Sequence, residues 1–371
     1  MRTLLLCPEL FARESGIQRI LRLYLKALCE SAGAGDRVDL VVLNDRELPA
    51  AKLAAYSNDR LGLRRGCGGN KAQFFWAAVR AGSRADRVVC GHLGQLIAAW
   101  LARGLRPPPG YFLVAHGLEV WKPYSALERL ALRGARRILC VSEYTRGEMQ
   151  RRIELPDGRF AVVPNALDPF FAAAAGPAAA AEGPPVVLTV GRLDAAERYK
   201  GVDHLIQALP TVRQAVPGTR LRVIGTGNDR PRLMALAKQR GVSAAVEFAG
   251  FVDDEKLVKA YRACTLFALP SHAEGFGIVF LEAMTCGKPC LGARAGAIPE
   301  LIDEASGVLV DYGNVDQLAA ALVRALTRRW DPAQITARAA QFSYPAFRAR
   351  LEQVLENRPG SRPQPSQSAT G

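Results

Sequence analysis

Short apolar runs recur along the chain, and between them apolar residues return every three or four positions. The runs Thr3 to Cys7, Val38 to Leu43, Arg87 to Cys90, Tyr111 to Ala115, Ile138 to Val141 and Phe160 to Val163 predict buried strands. Between the first two, Ile17, Ile20, Leu21, Tyr24, Leu25 and Leu28 lie on one face of a predicted helix. Alternating strand and helix predicts a mostly parallel sheet covered by helices. Residues 172–185, nearly all Ala, Gly and Pro, break the pattern as a linker would. Alternation then restarts, with predicted strands Val186 to Val190, Arg220 to Ile224, Val246 to Phe248, Leu266 to Ala268, Pro289 to Gly292 and Val308 to Val310.

The expectation is an α/β chain of two Rossmann-like domains, 1–171 and 186–341, followed by a helical segment 342–357 and a polar, disordered tail 358–371. Its 371 residues suffice for two cores. Open α/β sheets bind ligands at the carboxyl ends of their strands, so chemistry is expected in the cleft between the domains.

Charge adds one feature. The net charge is +14, and residues 1–171 hold 26 Lys and Arg against 16 Asp and Glu, a share of +10 that leaves +4 for the rest. Clusters such as Arg60, Arg64 and Arg65, or Arg129, Arg133, Arg136 and Arg137, fit either solvated helix faces or docking to anionic lipid headgroups. A nucleic-acid partner is not expected, because the basic residues lack interleaved aromatics or a known motif. Eight scattered cysteines without a CxxC pair predict buried thiols in a reducing compartment. With no signal-peptide pattern and no apolar stretch of membrane-spanning length, a cytoplasmic protein is expected, peripheral at most to the inner membrane face.

The sharpest chemical signal follows the strand ending near Leu269: Pro270-Ser271-His272-Ala273-Glu274-Gly275-Phe276-Gly277-Ile278-Val279-Phe280-Leu281-Glu282. Glu274 falls in the loop and Glu282 on the second turn of a helix starting near Gly277. The N–H groups of Gly277, Ile278 and Val279 form a helix N-terminus suited to phosphate, and a carboxylate on the second turn can accept hydrogen bonds from a ribose diol.

This stretch resembles the Glu, seven residues, Glu motif of family 4 retaining glycosyltransferases, also called group 1, which have the two-domain GT-B fold. Gly191-Arg192-Leu193 followed by Tyr199-Lys200-Gly201 is similar to that family's phosphate-binding Arg and Lys. Val163-Pro164-Asn165-Ala166-Leu167-Asp168 resembles its interdomain hinge. Ile224-Gly225-Thr226-Gly227 resembles the strand-end turn facing the donor, and Gly250-Phe251-Val252 the loop whose backbone meets the base. His116-Gly117 resembles the histidine set against the donor sugar. The resemblance implies a retaining transfer from a GDP- or UDP-sugar to a glycan, lipid-linked or small-molecule acceptor, in cell-surface polysaccharide or glycoconjugate synthesis. It assigns catalysis to His116, Arg192, Lys200 and Glu274. Nucleotide-sugar binding goes to Gly225, Val252, Phe276, Gly277, Ile278, Val279 and Glu282, and the final helical segment returns to the first domain.

The first turn, Glu14-Ser15-Gly16-Ile17-Gln18, departs from the family's Gly-Gly pair, although Gly16 can still bring backbone N–H groups to a phosphate. Asn165 and Asp168 read as turn formers and Asp253-Asp254 as a helix cap, not metal ligands. Neither a metal nor another cofactor is called for, since fixed cations and a helix N-terminus can stabilise a leaving phosphate. A nucleotide-sugar epimerase, a glycoside phosphorylase or hydrolase, and a basic nucleic-acid-binding protein remain the alternative readings.

Overall fold

The computed structural model describes residues 1–12, 16–103, 110–174 and 183–356. The expected tail 358–371, most of the expected linker 172–185, and Glu14 and Ser15 of the first turn lie outside the described residues.

Seven strands form the first sheet: β1 (Arg2–Cys7), β2 (Arg37–Val42), β3 (Leu61–Gly66), β4 (Arg87–Cys90), β5 (Gly110–Ala115), β6 (Arg137–Cys140) and β7 (Phe160–Val162). They run parallel in the order β3-β2-β1-β4-β5-β6-β7. Six more strands build a second parallel sheet: β8 (Val186–Val190), β9 (Arg220–Ile224), β10 (Val246–Gly250), β11 (Leu266–Leu269), β12 (Cys290–Ala293) and β13 (Gly307–Val310). Their order is β10-β9-β8-β11-β12-β13. The chain is thus an α/β protein with two Rossmann-like sheets in series. Strands such as β1, β5 and β12 are buried on both faces, which is why they read as unbroken apolar runs.

β3 is the strand that the hydrophobic pattern fails to predict. Its sequence, Leu-Gly-Leu-Arg-Arg-Gly, sits on the sheet edge with four of its six residues exposed, so it carries no apolar run.

The helix Tyr344–Glu356 crosses back onto the first half. Phe347 is buried there, edge-on to the Tyr24 ring at 5.0 Å, and the Tyr344 hydroxyl donates to Glu30 at 2.6 Å. Truncating Phe347 to Ala in such a site costs about 3 to 5 kcal/mol. The outgoing and returning crossings run side by side, since the Leu167 N–H donates to the Phe342 carbonyl at 3.0 Å. One cluster of buried apolar side chains, including Tyr24, Phe171, Phe276 and Phe347, continues from one half into the other.

All eight cysteines are buried free thiols. Among the described residues, no helix is long and apolar enough to cross a membrane, and no group of His, Cys, Asp and Glu could hold a metal ion.

Candidate active site

Each sheet reverses its strand order once, between β1 and β4 and between β8 and β11, and a parallel sheet opens a crevice at such a point. The segments that follow β1, β4 and β5 carry Gly16, His92 and His116-Gly117. Those that follow β8, β9 and β11 carry Gly191-Arg192, Gly225-Gly227 and Ala273-Gly277. All of these line one cavity of about 670 Å³.

Close backbone approach shapes the floor of the second half. Gly225 has φ +137°, and a Cβ there would stand 1.9 Å from the Gly191 carbonyl oxygen, so the two turns can touch only through glycine. The Gly225 N–H donates to the Gly250 carbonyl at 2.8 Å, which fixes the loop bearing Phe251 and Val252. Phe251 is 69% exposed on the cavity wall and offers a free ring face.

Three charged side chains meet beyond β8. Lys200 ends the short helical segment Ala195–Lys200, and its Nζ lies over Gly191, 3.3 Å from where a Cβ would be. Glu197 pairs with Lys200 at 2.9 Å and with Arg192, tying both cations to one carboxylate. Lys200 is mostly covered, while the Arg192 side chain is 61% exposed.

Glu274 sits in the loop after β11, its carbonyl accepting from the Ala297 N–H at 2.9 Å. Burial raises its carboxyl above the ordinary value, while Lys200 and a hydrogen bond from Ser271 pull the other way. The helix Ile278–Thr285 begins just after Gly277 and is apolar nearly all round, as a buried helix must be. Its first N–H groups have no acceptor within the helix and border the cavity.

Glu282 is the charged exception on that helix and is 3% exposed. Burial raises its carboxyl too, opposed by Arg19 and Tyr261. The Tyr261 hydroxyl donates to Oε2 at 2.8 Å, and Arg19 Nη1 stands 3.6 Å from Oε1. Arg19 belongs to the helix Gly16–Glu30 of the first half, so this pair spans the cleft. The same guanidinium binds Asp254 and lies 4.8 Å from the Phe171 ring centre.

The two halves also touch directly. A Cβ on Gly275 would meet the His116 carbonyl oxygen at 1.9 Å, and the Gly275 carbonyl accepts from the Ser142 hydroxyl at 2.8 Å. Glu300 accepts from the backbone N–H groups of Glu143 at 2.9 Å and Tyr144 at 2.7 Å, at the start of the helix Glu143–Gln150. His116 is buried, with Nε2 at 2.8 Å from the Gly91 carbonyl. A carbonyl can only accept, so Nε2 donates to it; among the described residues Nδ1 has no hydrogen-bond partner. His92, beside it, is pushed down by burial, with Glu119 opposing.

The sequence-predicted residues therefore all border one cavity. Phe276 borders it as well, and its side chain packs against Phe342 at 5.7 Å. Ile278 and Val279 are half-buried, and Gly16 is exposed, 3.6 Å from the Ile278 side chain at its would-be Cβ. Asp253 caps the helix Asp254–Ala263, accepting from Lys256 N–H at 2.8 Å. Asp168 accepts from Phe170 N–H at 2.9 Å as a turn former and also from the Tyr56 hydroxyl at 2.8 Å. Arg19, Glu197 and Tyr261 escaped the sequence reading. For Arg19 alone a signal existed: a charged residue flanking the apolar stripe of the first helix.

Two family models match the chain: residues 15–171 match Glycosyltransferase Family 4, and residues 174–342 match Glycosyl transferases group 1. The chain is 41% identical over 131 residues to the D-inositol 3-phosphate glycosyltransferase of Segniliparus rotundus, covering 34% of this chain and 28% of the relative. It is 32% identical over 175 residues to the GDP-mannose-dependent monoacylated alpha-(1-6)-phosphatidylinositol monomannoside mannosyltransferase of Corynebacterium glutamicum, covering 43% and 45%. Each match thus spans less than half of the relative's length. The fold is similar to that of Anabaena HepE in complex with UDP and glucose, at a TM-score of 0.73 and 21% identity, over 96% of this chain and 99% of the other.

Proposed function

The chain belongs to the group 1 glycosyltransferases, family 4, and from that premise we propose that it moves a sugar from a nucleoside diphosphate to an acceptor hydroxyl with retention at the anomeric carbon. The carrying observation is that Lys200, Glu274 and the N-terminus of the helix Ile278–Thr285 border the same cavity as the buried Glu282. A diphosphate needs the first and third, a ribose diol the last, and a sugar's hydroxyls the second.

In the transfer, the bond between the anomeric carbon and the β-phosphate oxygen breaks with its electron pair going to phosphate. The acceptor oxygen takes the carbon, and its proton leaves with the nucleoside diphosphate. Lys200 and Arg192 receive the developing negative charge, held ready by Glu197, so little reorganisation is needed. Arg192 grips phosphate oxygens in a fork while Lys200 supplies a compact charge. Glu274 and His116 Nδ1 take the transferred sugar's hydroxyls, and Glu282 takes the ribose. The backbone of Gly16, Gly225, Gly277, Ile278 and Val279 lines the diphosphate, and Val252 and Phe251 meet the base.

The donor is a GDP- or UDP-sugar: GDP-mannose stands in the name of one relative, and UDP is bound to the structural neighbour. A lipid-linked acceptor is favoured because that same relative's name carries a phosphatidylinositol-linked mannoside. The basic first half would then hold the protein at the membrane face where such an acceptor lies.

Thermal shift against UDP and GDP, followed by release of the nucleoside diphosphate from each sugar donor, tests this reading. A ligand at 100 times its Kd adds about 2.7 kcal/mol of stability. Absence of a shift with every nucleoside diphosphate overturns it. Product formed from donor alone, with epimerised sugar, would point to an epimerase instead.

A further inference from the structure

Lys200 and Glu274 reach one cavity from two irregular segments. Lys200 ends the short segment Ala195–Lys200, and the next residue, Gly201, turns the chain at φ +70° into the helix Val202–Ala215. Glu274 lies in the loop between β11 and the helix Ile278–Thr285. No long helix or strand carries either charge, so their separation depends on how the two segments are joined. Glu197 pairs with Lys200 inside the same segment and so does not set its distance to Glu274.

Backbone makes the first join. The His272 N–H donates to the Tyr199 carbonyl at 3.0 Å, and a Cβ on Gly201 would stand 2.6 Å from the Pro270 carbonyl oxygen. The two segments thus touch on either side of Lys200. A single hydrogen bond between loops opens easily, and here rings close over it. Tyr199 and His272 meet edge-on at 5.8 Å, His272 and Tyr312 lie 4.4 Å apart, and Tyr312 meets His204 at 5.1 Å. Tyr312 belongs to a third segment, just after β13, and His204 to the first turn of the helix Val202–Ala215. The rings therefore run from the residue before Lys200, through the loop that carries Glu274, and back to the helix that follows Lys200. Burial does not account for them, since Tyr312 is 39% exposed and His272 is exposed too. Ring contacts of this kind fix orientation as well as distance.

We propose that Tyr312 and His272 are positioning residues for the transfer: their rings press the Lys200 segment onto the Glu274 loop, so that the cation reaches the leaving phosphate while the carboxylate reaches the sugar. The consequence for transfer rests on the functional reading above. The mechanical join rests on the ring contacts alone.

Two measurements on the full chain keep these apart. Amide hydrogen exchange needs no substrate, and in Tyr312→Ala the His272 N–H should exchange about tenfold faster, through local opening, with the melting temperature held. Turnover, read as nucleoside diphosphate released from UDP- and GDP-sugars, should fall about tenfold or more in kcat for Tyr312→Ala and for His272→Ala, because reacting groups are misplaced. Donor KM should move by less than about threefold. Tyr312→Phe, which keeps the ring, should restore both exchange and turnover. Unchanged exchange at His272 in Tyr312→Ala overturns the proposal whatever the activity. Faster exchange with an unchanged kcat does so too, since the rings would then serve stability only, as does Tyr312→Phe behaving like Tyr312→Ala. If Tyr312→Ala melts early, His272→Ala carries the kinetic test, its side chain being exposed. An unaltered chain that releases no nucleoside diphosphate from any donor sinks the functional reading and the role in transfer with it, while the exchange rates still decide whether the rings hold the segments together.

Discussion

Arg19 Nη1 stands 3.6 Å from Glu282 Oε1, joining the first helix of one half to the cavity helix of the other. The same guanidinium binds Asp254, so a single first-half cation holds two acids of the second half. Because Glu282 is 3% exposed, its charge depends on that partner and on Tyr261. Removing one member of a buried pair costs about 3 to 5 kcal/mol, and the exposure of Asp254 puts Arg19→Met near 3 kcal/mol. In a Glu282→Gln background the loss should shrink by at least about 0.5 kcal/mol, the coupling of residues in contact. Urea denaturation of the four proteins of this cycle measures it, and strict additivity would dissolve the pair.

Donor affinity should depend on Glu282 more than turnover does. A charge-assisted hydrogen bond is worth about 1.5 to 3 kcal/mol, so Glu282→Ala should raise the donor KM about 10- to 100-fold. Tyr261→Phe, which removes only the hydroxyl that steadies Oε2, should have a smaller effect. A donor KM unchanged in Glu282→Ala would take ribose away from this residue.

Lys200 should act chiefly on rate. If its ammonium group stabilises the leaving phosphate, Lys200→Ala lowers kcat about 10²- to 10³-fold with a milder change in donor KM. Glu197→Ala tests the same machinery from behind, since it frees Arg192 and Lys200 from the carboxylate that ties them. It should lower kcat as well, and rapid-quench rates on folded protein would show it. A kcat within about threefold of the unaltered chain for Lys200→Ala would leave a surface lysine, for which substitution costs little.

Glu274 links activity to pH-dependent stability. Its carboxyl is raised above the ordinary 4.5 by burial. A raised carboxyl binds its proton more tightly folded than unfolded, so its stabilising contribution is complete below the unfolded value and is lost as pH rises through the folded one. Glu274→Gln, which cannot ionise, should therefore melt higher than the unaltered chain at pH 8, with the gap closing toward pH 4, while activity falls. An equal gap at both pH values would show that the carboxylate carries no burial penalty.

Gly275 sets the distance between the halves. A methyl group at this position would collide with the His116 carbonyl oxygen, which is backbone and cannot step aside. Gly275→Ala should hold the cleft open, lowering kcat about tenfold or more through misplacement of the reacting groups, with each half still folded. Small-angle scattering should report a larger radius of gyration, and an unchanged radius with normal turnover would contradict the contact.

Much of this could be read from the chain because it depends on local sequence. Doubly buried strands must be apolar throughout, so β1, β5 and β12 announce themselves. A buried, almost wholly apolar helix with one acid on its second turn isolates Glu282 as a residue with a purpose. β3 stayed hidden because an exposed edge strand has no need of an apolar face. For Phe276 the motif fixes a place along the backbone but not the direction of the ring, which packs against Phe342. The partners of the charges were decided by tertiary structure alone. Arg19 and Glu282 lie 263 residues apart, as their numbers show, and only the docking of the first helix against the second half makes them neighbours. Composition sets how many charges a protein has; which of them must share a dry cleft is set by the packing of one half against the other.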